Sequence, residues 1–355
     1  MRKRIHKYYG YQLEIPEPST GGHLWDDDLE RLLDRWPEAY EADFAEYARM
    51  GFKQLFFHGV WNGLTTEPNP PESGNICCPY EFRFAEKFGG PKRMREIADK
   101  AKDHGLQLMQ WYSFHLSRHA PIWKDHPDWL LREANGDPWD SNYSILWSGR
   151  MRSDYGEEFK NQILAVKEDT GIDGIFWDSY HNLGVVAIDW SSPDKAPQAK
   201  EIFAMQAELQ KKGFKQWNES VTIFGISRVA MFGFKENAFR RRLWSDCVDG
   251  DQAFVLLDTS PCFFTGDSKI PLVHPDRLSV EIYFWLVAHR SVPNLSADPW
   301  KIGGNDRRFA GGERAEDYAR VNHLYNSCLP EMNRLRLQRN GTHVVWENEA
   351  GEPSL

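Results

Sequence analysis

The feature that most constrains this chain is a rhythm. Short apolar runs, each ending in polar or acidic residues, alternate with stretches of helical periodicity. A helix placed between two strand-length runs carries the chain back, so that the second strand starts in the same direction as the first, and the result is a parallel sheet of βα units. The clearest unit begins at Gly51-Phe52-Lys53-Gln54-Leu55-Phe56-Phe57-His58-Gly59, an apolar strand whose end turns polar at His58, Trp61 and Asn62. Gly89-Gly90-Pro91 then opens a helix with proline in its first turn. Met94, Ile97, Ala98 and Ala101 recur on one face of it, and Gly105 closes it. The next strand is predicted over 106–111.

The same pattern predicts helices over 155–168 and 199–212 and strands over 172–177 and 221–224. Shorter strands are expected over 242–244 and 292–295, with another over 8–15 at the start. Seven or eight such units close a (β/α)8 TIM-like barrel, which is the fold class expected here. A doubly wound sheet is the alternative, but it calls for a phosphate loop or glycine-rich turn after its first strand, and the sequence has neither. With no repeat or low-complexity linker before about residue 330, one catalytic barrel domain is expected over 1–335. The stretch from Gln338 to Trp346 reads as a turn entering a strand, so 336–355 is expected to be the start of a truncated C-terminal β-domain or a tail.

Charge and composition remove several function classes. A net charge of -9 argues against nucleic acid as a partner, because a phosphate footprint needs a basic stripe, and Arg240, Arg241 and Arg242 are too short a run. No stretch reaches the apolar length of a membrane span. The basic start lacks the apolar core of a signal peptide, and five cysteines without ligand spacing suit a reducing compartment, so a cytoplasmic location is expected. The chain is rich in flat rings, 15 Trp, 13 Tyr and 21 Phe, which suit the CH-rich faces of sugars as well as a large core.

In a parallel barrel the reacting groups stand at the C-terminal ends of the strands, so polar residues that end apolar runs are the candidates. Asp178 closes Ile172-Asp173-Gly174-Ile175-Phe176-Trp177, and Asp246 closes Leu243-Trp244-Ser245. Each reads either as a catalytic carboxylate or as a capping or loop aspartate. Cleavage of a glycosidic bond needs two such groups, one to attack or to activate water and one to protonate the leaving oxygen, and neighbouring strands can supply the pair. His58, Trp61, Trp111 and Arg228, each at a predicted strand end, are candidate substrate contacts, with Trp177 and Tyr180 as walls. The rival reading is a core position for the rings and structural pairing for His58 and Arg228. Glu219 is a spare acid. His115 and His119 stand four apart, as helical metal ligands can, but without a third ligand they read as solvated loop residues.

At this point the residues resemble a known group, the α-galactosidase-like glycoside hydrolases of the clan that holds families 27, 31 and 36, and family 36 most of all. Gly105-Leu106-Gln107-Leu108-Met109-Gln110-Trp111, followed by His126-Pro127-Asp128-Trp129-Leu130-Leu131-Arg132, looks like the family's third strand and its following loop. Ile172 to Asp178 looks like its fourth strand, which ends in the nucleophilic aspartate, and Leu243-Trp244-Ser245-Asp246 resembles its acid/base segment. The resemblance covers about 51–299. It implies a retaining α-glycosidase with Asp178 as nucleophile and Asp246 as acid/base, a carbohydrate substrate, and no metal or organic cofactor. This chain departs from the pattern in places. Phe57-His58-Gly59-Val60-Trp61-Asn62 stands where the family has Asp-Asp-Gly-Trp, Phe176 replaces a lysine, and the fifth-strand region is reduced to Gly225-Ile226-Ser227-Arg228. The family's N-terminal β-sandwich has no counterpart in this chain. Glycosyl transfer at the same site, or a barrel that binds carbohydrate without turnover, are the alternative functions.

Overall fold

Seven strands that lie far apart in the sequence share one parallel sheet in the computed structural model. The described residues are 7–8, 10–12, 17–23, 37–58, 61–63, 78–139, 146–178, 187–218, 263–265, 292–295, 315–328, 334–337, 344–347 and 350–353. The strands are β1 (Ser19–His23), β2 (Gln54–His58), β3 (Gln107–Tyr112), β4 (Gly174–Trp177), β5 (Lys215–Asn218), β6 (Phe263–Thr265) and β7 (Val292–Leu295). Their order across the sheet is β6-β7-β1-β2-β3-β4-β5, and every pairing is parallel.

In this order the last described strand of the sheet, β7, pairs with the first, β1, and β6 lies beyond it at the edge. The stretch between β5 and β6, which includes the strand expected over 242–244, lies outside the described residues.

Five longer helices are described beside this sheet. They are α1 (Pro37–Arg49), α2 (Gly90–Asp103), α3 (Asp154–Thr170), α4 (Ala199–Lys211) and α5 (Ala315–Cys328). Pro91 sits in the first turn of α2, which buries Met94, Ile97, Ala98 and Ala101. The Ser153 hydroxyl caps α3 by accepting from the Tyr155 amide, and Gly171 in the left-handed region ends it. Arg95 of α2 donates to the carbonyls of Glu168 and Asp169, placing a cation at the negative end of α3. The last helix lies beside the first: Asn322 of α5 donates to Met50 O at 3.0 Å and Asn326 to Gly51 O at 2.7 Å. Gly51 has φ +77, and a side chain there would stand 3.0 Å from the Asn322 Cβ, so both conformation and close approach require glycine.

The two faces of the sheet differ. Tyr112, Trp177 and Gln216 face the helices, where Trp177 lies 6.1 Å from Phe159 of α3 and Gln216 Nε2 donates to Gln206 O of α4 at 2.8 Å. Trp111, one residue out of phase with Tyr112, faces the other way. At the N-terminal end a polar layer closes the sheet. Gln54 donates to Gln107 at 3.3 Å and to Glu17 at 3.1 Å, Gln107 donates to Asp173 at 2.8 Å, and Lys215 pairs with Glu17 at 3.6 Å.

Three expectations need correction. Of the strand expected over 8–15, the described residues instead turn back on themselves, Lys7–Tyr8 against Tyr11–Gln12 around Gly10, and the first described strand of the sheet is Ser19–His23. Pairing across the Gly10 turn takes up the backbone groups that a sheet strand would have used. The second is the unanticipated strand Lys215–Asn218, which forms because α4 ends at Lys211 and the chain pairs with β4 as soon as Phe214 is buried; the strand expected over 221–224 lies outside the described residues. The third correction is β6, which was not anticipated at all. Near the end of the chain Arg334–Leu337 and Val344–Glu347 form a separate antiparallel pair. Among the described residues no helix is long and apolar enough to cross a membrane.

Candidate active site

All four residues of β4 are buried, and Asp178 follows them at the C-terminal end of the sheet, half-buried. Its amide donates to Tyr112 O at 2.8 Å, which extends the parallel ladder one residue beyond the strand. The carboxylate is therefore mounted on a fixed backbone. Its Oδ2 accepts a hydrogen bond from Trp111 Nε1 at 2.8 Å. A charged acceptor and a buried indole donor make this one of the stronger side-chain bonds in the region, and it holds the carboxylate in one orientation.

The strand that carries the indole is itself braced. Trp61 Nε1 donates to Trp111 O at 3.2 Å, and the Trp61 ring stacks on Phe84 at 4.7 Å and meets Phe82 edge-on at 5.3 Å. On the helix side Trp177 stacks on Phe114 at 4.9 Å and donates to Gln216 Oε1 at 3.0 Å. Packed aromatic pairs with satisfied N–H groups form a stiff support for the strand ends.

Just past the end of β3 a short antiparallel pair, a hairpin whose strands are joined by residues 118–145, sets His115–Ser117 against Leu146–Ser148. His115 is 2% exposed and its ring lies edge-on to Trp111 at 6.2 Å. Burial lowers its pKa to about 4, against the opposing pull of the Asp178 charge, so the ring is neutral at physiological pH. The expectation of a solvated loop is corrected for this residue: it is a buried strand histidine, and the helical spacing with His119 does not apply.

Asp189, fully buried, pairs with Arg150 at 3.2 Å and accepts from the Ser191 amide, tying residues 187–198 to the segment that follows the hairpin. Beside it an open cleft of about 580 Å³ lies between the starts of α3 and α4, with Arg152 held by Asp194 and Glu201.

Of the residues expected in the site, the described structure brings Asp178 and Trp111 together. Trp61, Trp111 and Trp177 are all 0% exposed. Trp61 and Trp177 pack among other rings beside the strand ends. His58 ends β2 with its backbone paired to His23, and its side chain lies outside the described residues, as do Tyr180, Glu219, Arg228 and Asp246.

No family model and no curated protein matches this chain. Solved structures do. A maltogenic α-amylase from Thermotoga neapolitana superposes with a TM-score of 0.56 at 15% identity, over 88% of this chain and 78% of that one. An α-amylase from Lactobacillus plantarum gives 0.57 at 12% identity, over 84% and 78%. An α-galactosidase from Lactobacillus brevis gives 0.55 at 12% identity, over 94% of this chain and 44% of that one. At these identities the likeness is one of fold.

Proposed function

We propose that the chain is a retaining glycoside hydrolase acting on an α-linked glycoside, with Asp178 as nucleophile and Asp246 as acid/base. The observation that carries the reading is the mounting of Asp178. It is a carboxylate at the C-terminal end of a parallel strand, locked into the ladder through its amide and oriented by an indole N–H. The parallel strand order, with β7 paired to β1, and the fold likeness to α-amylases and an α-galactosidase support it. In this reading 242–246 supplies the strand between β5 and β6 and closes the barrel.

In the first step an Asp178 oxygen bonds to the anomeric carbon while the glycosidic C–O bond breaks and Asp246 gives its proton to the departing oxygen. In the second, Asp246 takes a proton from water, and that water displaces Asp178 with return of the original anomeric configuration. Retention calls for carboxyl groups about 5–5.5 Å apart. The reaction needs no metal or organic cofactor. His58, Tyr180 and Arg228 are the proposed contacts to sugar hydroxyls, Trp111 orients the nucleophile, and Trp61 and Trp177 support it.

The test is Asp178→Ala assayed with nitrophenyl α-glycosides. Turnover should vanish, and azide should restore part of it by taking the nucleophile's place and giving a glycosyl azide. Full activity in the variant refutes the assignment.

A further inference from the structure

We propose that His115 and Ser148 form a subsite that reads one hydroxyl of the sugar bound at Asp178. The inference rests on the glycosidase reading and deepens it. The two residues are direct cross-strand partners in the hairpin, so their side chains leave the same face close together. Both are buried, at 2% and 0% exposure, and His115 Nδ1 and Ser148 Oγ have no hydrogen-bond partner among the described residues.

Their backbones are held while those atoms stay unpaired. The His115 carbonyl accepts from Ser113 Oγ at 3.1 Å, and the Ser148 carbonyl accepts from the Leu131 amide at 2.9 Å. Gly149, next in the chain, is pinned by Tyr155, since a Cβ there would come within 2.1 Å of the ring. Two buried polar atoms left unpaired side by side on an antiparallel pair of strands have an unmet demand for a hydrogen-bonding group, because buried polar atoms in folded proteins are normally paired.

The position of the pair says what that group is. The His115 ring stands edge-on to Trp111, whose N–H holds Asp178, and the Asp178 charge reaches His115. A neutral imidazole offers one donor and one acceptor, as a serine hydroxyl does, and both match a sugar hydroxyl, which gives and takes one bond at a time. Burial keeps the ring neutral, so no cation competes with the anomeric centre for the Asp178 carboxylate.

The experiment uses the full chain and the nitrophenyl α-glucoside and α-galactoside with their monodeoxy forms, comparing wild type with His115→Phe and Ser148→Ala. One deoxy position should cost wild type about 10- to 100-fold in kcat/KM. His115→Phe should lose about as much on the parent glycoside and little further on that deoxy form. Ser148→Ala should show the same non-additivity, and it guards against a phenylalanine that does not fit. Additive losses at every position, or unchanged kcat/KM in both variants, overturn the proposal and leave hydrolysis standing. If wild type hydrolyses neither glycoside, the hydrolase reading fails, and binding of the same sugars by tryptophan fluorescence decides the subsite. Loss of discrimination in His115→Phe upholds it, and no binding by wild type removes it.

Discussion

Replacing Trp111 with phenylalanine isolates the bond that orients Asp178. The variant keeps an aromatic ring against the support but deletes the N–H that donates to Oδ2 at 2.8 Å. Trp61 loses nothing directly, because it donates to the backbone carbonyl of residue 111. A hydrogen bond to a charged group contributes about 1.5–3 kcal/mol, which corresponds to about a 10- to 100-fold fall in rate if all of it serves to present the nucleophile. The smaller ring also leaves space in a fully buried site, so a loss of stability of about 1–3 kcal/mol accompanies the change. The two effects separate experimentally. Thermal unfolding reports the packing loss, while kcat/KM measured well below the transition for nitrophenyl α-glycosides with leaving groups of graded acidity reports the chemistry. Glycosylation should slow for every leaving group. A folded variant with wild-type kcat/KM refutes the orienting role.

Other consequences follow from the same packing. The His115 pKa is lowered to about 4 in the folded chain against the ordinary value of 6.5, so the unfolded chain binds the extra proton between those values; stability should be complete above about pH 6.5 and fall by about 3 kcal/mol as pH drops to 4. Urea unfolding across that range should show the slope, and His115→Asn should flatten it. Arg150→Met strands the buried Asp189 carboxylate and should cost about 3 kcal/mol, read as a fall in the urea midpoint, while Asp189→Asn should cost less. Gln216→Leu leaves the Trp177 N–H unpaired in the core and removes the bond to the Gln206 carbonyl, and a loss of about 2 kcal/mol is expected by the same assay.

The parts of this fold that read directly from sequence are those whose burial follows apolar periodicity. β4 is apolar because both of its faces are covered, and the polar residue that ends it marks the rim, so Asp178 is found without a structure. The α2 boundaries are legible for a local reason, proline at the start and glycine after the end. β1 is not legible. Its Ser19 and Thr20 are buried through small polar side chains, and Gly21 and Gly22 carry no strand preference. β5 hides in Lys-Gln-Trp-Asn because Gln216 enters the core with its amide bonded at both ends, which composition alone cannot reveal. His115 misleads through its spacing from His119. The better signal was the alternation around it, Phe114 and Leu116 beside His115 and Ser117, with Leu146-Trp147-Ser148 downstream as a partner.

The claim on which the functional reading depends is a covalent bond between Asp178 and the anomeric carbon. An activated 5-fluoro glycosyl fluoride forms that bond quickly and releases it slowly, so the intact mass of the treated chain and the mass of its proteolytic fragments locate the attachment. The expected result is a gain of one glycosyl residue, mapped to the fragment carrying Asp178 and absent from Asp178→Ala. Attachment to another carboxylate, or turnover with inverted anomeric configuration and no adduct, contradicts it.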